Sequence, residues 1–125
     1  MLGNASLMTM VPVTDMVRAR GFYEGKLGLA LKGSNAQGNF MYDCAGTTIA
    51  LYKRDSPTKA DHTILSWDVK DIRKVVDELT KRGVVFEEYD LPGFKTVNKV
   101  CVLGAEKAAW FRDTEGNILC VHEDS

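Results

Sequence analysis

The sequence predicts an α+β fold written as two β-α-β-β-β modules, 1–57 and 58–125, that together make one domain. Three observations predict it. An apolar strand followed by a helix-opening Asp occurs twice, with Val13, Asp15 and Met16 returning at one constant offset as Val69, Asp71 and Ile72. The run FMYDCAGTTIALY, Phe40 to Tyr52, is matched by WFRDTEGNILCVH, Trp110 to His122, so Asp43 aligns with Asp113 and Gly46 with Gly116. Each helical stretch also ends on a Gly, Gly28 and Gly83. Landmarks that recur in one order mark a duplicated unit. A module this small buries too little surface by itself, so two must cooperate.

The elements follow in order. Leu7 to Val13 is the first strand, and Asp15 can cap a helix by accepting from the orphaned N–H groups of its first turn. Met16, Ala19, Phe22, Tyr23 and Leu27 give that helix a broad apolar stripe up to Gly28. Strands are expected at Ala30 to Lys32, Asn39 to Tyr42 and Thr47 to Tyr52, the last two joined by the turn DCAG. In the second copy Thr63 to Val69 is the strand and Asp71 the cap. Ile72, Val75, Val76 and Leu79 then fall on one helical face. Lys81 and Arg82 suit the negative end of the helix, and Gly83 supplies the left-handed residue beyond it. Strands are expected at Val84 to Glu87, Ala108 to Arg112 and Asn117 to His122. Twice as many residues separate Gly83 from Asp113 as separate Gly28 from Asp43. That extra length, 88–107, includes Leu91-Pro92-Gly93-Phe94 and reads either as a longer hairpin or as a flap over a binding cleft.

Composition narrows the function. The 125 residues carry 16 Lys plus Arg against 17 Asp plus Glu, a net charge of −1, which argues against a nucleic-acid binder. No apolar run is long enough to span a bilayer. The start, MLGNASLMTM, has neither a basic nor a clear apolar region, so no signal peptide is expected. Cys44, Cys101 and Cys120 are an odd number without CxxC spacing, which suits a reducing cytoplasm.

The run Val13-x-Asp15-x-x-x-Ala19-x-x-Phe22-Tyr23 with Leu27, Gly28 and Leu29 resembles the vicinal oxygen chelate superfamily, the group of glyoxalase, bleomycin resistance protein and extradiol dioxygenase. Phe111, Asp113, Gly116, Asn117 and Ile118 carry the same resemblance in the second module. It implies a partly open mixed β-barrel with the helices outside, often completed as a homodimer, whose concave face takes a small molecule. In the metal-dependent members, four inward His or Glu side chains hold a divalent ion that acts as a Lewis acid. Transferred by count, those positions are Met8 and Ile64, seven residues before each helix-opening Asp, and Ala50 and Cys120, four residues after each turn Gly. Met, Ala, Ile and Cys do not make a hard divalent site.

The expected reading is therefore a cytoplasmic protein that binds a small organic molecule without catalytic metal or other cofactor. Its cleft would be lined by Met8, Met10, Ala50, Tyr52, His62, Ile64, Cys120 and His122, with Ser66 and Asp68 on the same side. Met adapts its shape to an apolar ligand, and Tyr adds one hydroxyl to an apolar face. The alternative is a metal-dependent lyase, isomerase or dioxygenase of the glyoxalase type, with a bulge sliding His62 into a ligand position. A third possibility is a domain serving mainly as a dimerising partner of other proteins. Cys120 and His122 share a strand face but stand about 6–7 Å apart, too far for a thiolate–imidazole pair unless both lean together. Gly21 to Leu27 lacks the spacing and hydroxyl of a phosphate loop. Lys95, Lys99 and Lys107 read as a solvated face.

Overall fold

The computed structural model describes residues 1–124 and separates into two compact units, Met1–Thr58 and a second from Lys59 onward. Each has the same plan of a strand, a helix and three or more further strands, a mixed α+β architecture.

In the first unit β1 (Met8–Val13) leads into α1 (Met16–Arg20). The Asp15 carboxylate accepts from the Arg18 N–H at 3.1 Å, which satisfies one donor the helix start leaves orphaned. The helix continues as a π-helical turn, Gly21–Lys26, rather than as the regular α-helix that the apolar spacing suggests. The wider turn buries Phe22 and Tyr23 side by side, with their rings edge to face at 5.5 Å. Then come β2 (Leu31–Ser34), β3 (Phe40–Cys44) and β4 (Thr47–Lys53), in sheet order β1-β4-β3-β2 with β1 and β4 parallel. Strand β2 lies later than Ala30 to Lys32, because an irregularity between Leu31 and Gly33 lets Gly33 and Ser34 pair with β3.

One face of this sheet is core. Val11 and Val13 of β1, Ile49 and Leu51 of β4, and Tyr42 of β3 are buried with Ala19, Phe22 and Tyr23 of the helical segment. Tyr42 stacks on Tyr23 and gives its hydroxyl hydrogen to Glu24 at 2.7 Å, so its one polar atom is satisfied. Arg20 donates to the same Glu24 oxygen at 2.8 Å.

The second unit comprises β5 (Thr63–Asp68), α2 (Ile72–Lys81), β6 (Asp90–Leu91), β7 (Phe94–Val97), β8 (Val100–Leu103), β9 (Glu106–Arg112) and β10 (Ile118–Glu123). Their order is β5-β10-β9-β8-β7-β6, with β5 and β10 parallel. Asp71 caps α2 by accepting from the Lys74 N–H at 3.1 Å. Ile72, Val76 and Leu79 of the helix are buried, as are Leu65, Phe86, Phe111, Leu119 and Val121, and the helix packs on β9 and β10. The strand expected at Val84 to Glu87 is corrected to an extended segment. Phe86 makes a single bridge to Phe111, and the Glu87 N–H donates to the Trp110 carbonyl at 2.7 Å. What holds Phe86 is side-chain burial, its ring 5.3 Å from Phe111, more than a ladder of backbone bonds. Segment 88–107 is sheet: β6, β7 and β8 extend it as successive hairpins.

The matched turns DCAG and DTEG fold differently. The first is a two-residue hairpin turn between paired Cys44 and Thr47, with Ala45 at φ 49° and Gly46 at φ 91°. Both φ values are positive, as the primed turn that suits twisted strands requires. The second is a longer loop built on Asp113. Its carboxylate accepts from the backbone N–H of Glu115 and Asn117 and from the Asn117 side chain, each at 2.9 Å. Among the described residues no helix is long and apolar enough to cross a membrane.

Candidate functional site: the open sheet faces

A strand sends alternate side chains to opposite faces, so the helix-covered core of each unit defines a second face by parity. In the first unit that face carries Met8 and Met10, beside Thr48 and Ala50 of β4, and Pro12 beside Tyr52. Met8 and Met10 are 43% and 45% exposed, large apolar side chains with no helix over them. Ala50 is fully buried between its neighbours and has no ligating atom. Lys32 brings its ammonium 3.3 Å from the Thr48 hydroxyl, and the Arg54 guanidinium lies 5.9 Å from the Tyr52 ring. The surface is apolar in the middle and cationic at its margin.

In the second unit three rows cross the corresponding face. Thr63, Ile118 and Arg112 are in register, then Ser66, Cys120 and Trp110, then Asp68, His122 and Ala108. A bulge falls between Ile118 and Leu119, so Ile64 has no cross-strand partner and Thr63 takes the position beside Ile118. The Trp110 indole N–H donates to Thr63 Oγ1 at 3.2 Å. Tyr89 and Phe94, both brought by segment 88–107, pack on Trp110 with centroids at 5.9 and 5.2 Å. Thr96 anchors this segment by accepting from the Tyr89 N–H at 2.9 Å. The result is an aromatic wall beside a polar strip.

The polar strip centres on His122. Ser66 Oγ lies 2.6 Å from His122 Nδ1, and His122 Nε2 is 3.9 Å from both Asp68 Oδ1 and Asp124 Oδ2. Burial pushes the Cys120 thiol up, and a hydrogen bond from the Ser66 side chain only partly offsets this. Cys120 is therefore a protonated, packed thiol at neutral pH, not a thiolate nucleophile or a ready metal ligand. Burial also raises the Tyr89 phenol, helped by the Glu87 carboxylate.

The structure brings Met8, Met10, Ala50 and Tyr52 to one face, and Cys120 and His122 to the other. It leaves His62 in the segment before β5, with its side chain 72% exposed and 3.9 Å from Asp61. Trp110, Thr63 and Asp124 are the neighbours that sequence reasoning did not single out. Trp110 was within reach of it, since antiparallel pairing about the DTEG loop sets it opposite Cys120. The positions that the family resemblance assigns to metal ligands are Met8, Ala50, Ile64 and Cys120. An alanine and an isoleucine supply no ligand, so those residues do not fit the group.

The sequence matches the profile of the Glyoxalase/Bleomycin resistance protein/Dioxygenase superfamily over residues 6–121, and the chain belongs to that superfamily. No curated protein matches it. Solved structures share the fold over nearly the whole chain. TnmS3, an antibiotic binding protein from Streptomyces sp. CB03234, is 22% identical with a TM-score of 0.70, covering 98% of this chain and 97% of that one. A glyoxalase family protein from Enterococcus faecalis is 18% identical with a TM-score of 0.72, covering 98% and 100%. The fosfomycin resistance protein FosX from Listeria monocytogenes, in a mutant form complexed with Mn(II) and 1S,2S-dihydroxypropylphosphonic acid, is 15% identical with a TM-score of 0.72, covering 100% and 93%.

Proposed function

We propose that this protein binds a small, partly aromatic organic molecule on an open sheet face, without a metal at the superfamily's four ligand positions. The observation that carries the reading is the replacement of ligand chemistry by binding chemistry. Met8 and Met10 offer adaptable apolar surface, and the Trp110, Tyr89 and Phe94 wall offers a flat one. Ser66 and His122 add a few fixed polar groups to orient the ligand, the mixture typical of small-molecule sites. That TnmS3 is an antibiotic binding protein makes antibiotics the first compounds to try. The homodimer common in the family belongs to the same proposal.

The test uses metal-free bleomycin, followed by a panel of planar aromatic antibiotics. Trp110 lies on the open face whereas Trp67 packs on Phe111, with rings 6.5 Å apart, so binding should quench part of the indole fluorescence. A Kd in the micromolar range is expected. Met8→Arg or Trp110→Ala, whichever lies on the occupied face, should weaken binding about tenfold or more, the effect of losing a buried anchor worth about 1.4 kcal/mol. If no compound quenches or stabilises the protein at 1 mM (~1 mM being a 4 kcal/mol interaction), or if both variants bind like wild type, the reading is wrong.

A further inference from the structure

We propose that Asp68, His122 and Asp124 form a binding site for a first-row divalent transition-metal cation, at a place where the superfamily's ligand positions do not lie. One imidazole nitrogen and two carboxylate oxygens, one from each residue, lie within 4.8 Å of one another. Around a zinc-sized cation such atoms stand about 2.0–2.2 Å from the metal and hence roughly 3–3.5 Å apart. The site needs only small side-chain rotations to close, and both carboxylates are exposed enough to make them.

The imidazole is what distinguishes this cluster from a pair of surface acids. Its ring is held at the far nitrogen, with Ser66 Oγ 2.6 Å from Nδ1. A serine oxygen can accept from Nδ1–H, the pairing a metal-bound imidazole makes with its outer nitrogen. In that tautomer the Nε2 lone pair faces the carboxylates, the outer-shell arrangement by which metal-binding histidines are oriented. Neither carboxylate is within hydrogen-bond distance of Nε2, since both stand at 3.9 Å. Among the described residues, neither Asp68 nor Asp124 pairs with a Lys or Arg; both face the His122 ring. Two negative charges thus face one imidazole.

The donor set selects the metal. Calcium and magnesium want six or more oxygens, whereas two oxygens and one imidazole nitrogen suit Zn(II) or Mn(II), with water at the remaining positions. Parallel pairing of β5 with β10 places Asp68 and His122 side by side, so the backbone preforms two of the three ligands. Nothing in this site depends on the organic-ligand reading, and neither result decides the other.

Calorimetric titration of the tag-free protein with MnCl2 and with ZnCl2 tests the proposal. The expected result is one equivalent bound per chain with a micromolar Kd. Asp68→Asn and His122→Gln should each weaken it at least tenfold, and Ser66→Ala by about tenfold through the loosened ring. Mn(II) should also broaden the His122 ring protons in NMR of the wild-type chain, a readout that needs no variant to fold. His62→Gln should leave the affinity unchanged. Absence of binding at 1 mM metal, or binding lost with His62→Gln and kept with His122→Gln, would overturn the proposal (1 mM corresponds to about 4 kcal/mol). So would Mn(II) broadening confined to His62.

Discussion

Asp113→Ala should be among the most damaging single changes in the chain, and its cost can be worked from three bonds. The Asp113 carboxylate accepts the Glu115 N–H, the Asn117 N–H and the Asn117 side-chain amide, each at 2.9 Å. Asn117 is completely buried and Asp113 nearly so. Alanine leaves two donors in a buried place and one in a half-buried place, with no carboxylate to accept from them. Depriving a buried donor costs about 1–3 kcal/mol, and bonds to a charged acceptor sit at the upper end. Local relaxation recovers part of the sum, so the expected loss is roughly 3–5 kcal/mol. That is a large share of the 5–15 kcal/mol that holds an ordinary domain together. Urea unfolding followed by far-UV circular dichroism measures it, provided the slope of the transition stays constant. Asp113→Asn, which keeps one acceptor oxygen and the volume, should lose about half as much. A loss below about 1 kcal/mol for the alanine variant would mean that the loop between β9 and β10 is not held by this carboxylate. The change matters beyond stability because that loop sets the pairing that places Trp110 beside Cys120.

Two further predictions concern the first unit. Ala45 holds φ 49° in front of Gly46 in the β3–β4 turn; Ala45→Asn creates the Asn-Gly pair this turn favours and should stabilise by roughly 0.5–1 kcal/mol in the same urea assay. A destabilised variant would refute the assignment of strain to Ala45. Glu24 is held below its ordinary carboxyl range by hydrogen bonds from Arg20 and then Tyr42. A depressed folded value contributes stability above the ordinary glutamate range and loses it as pH falls through the folded value. The gap in unfolding midpoint between wild type and Glu24→Gln should therefore be widest near neutrality and close below about pH 4. A gap that stays constant down to acid would show that the Arg20 and Tyr42 contacts do not favour the carboxylate.

The parts of this architecture that the sequence reveals are those where one residue's chemistry decides local geometry. Asp15 and Asp71 each accept from the third residue onward, as their position before an amphipathic run requires. Period two along Met8 to Val13 separates the exposed methionines from buried Val11 and Val13, and the same rule sends Ser66 and Asp68 to the side of Cys120 and His122. What a linear pattern misses are insertions that cost one residue of register. The bulge at Ile64 shifts Thr63 into the row of Ile118 and leaves His62 in solvent, yet nothing in Ala60 to Leu65 marks it. Phe86 looks like strand because it is apolar and flanked by valines, but burial against Phe111 satisfies it without a ladder. The two turns make the same point from likeness. DCAG and DTEG share their first and last residues, and only the second is followed by an Asn. That side chain returns to Asp113 and holds a longer loop, while Thr47 at the matched position pairs across the hairpin with Cys44. A duplicated sequence therefore fixes the plan of each unit, and single polar side chains decide what each open face presents. On the first face the parity positions remain apolar. On the second, Ser66, Asp68 and His122 fall into adjacent rows, and chemistry concentrates there.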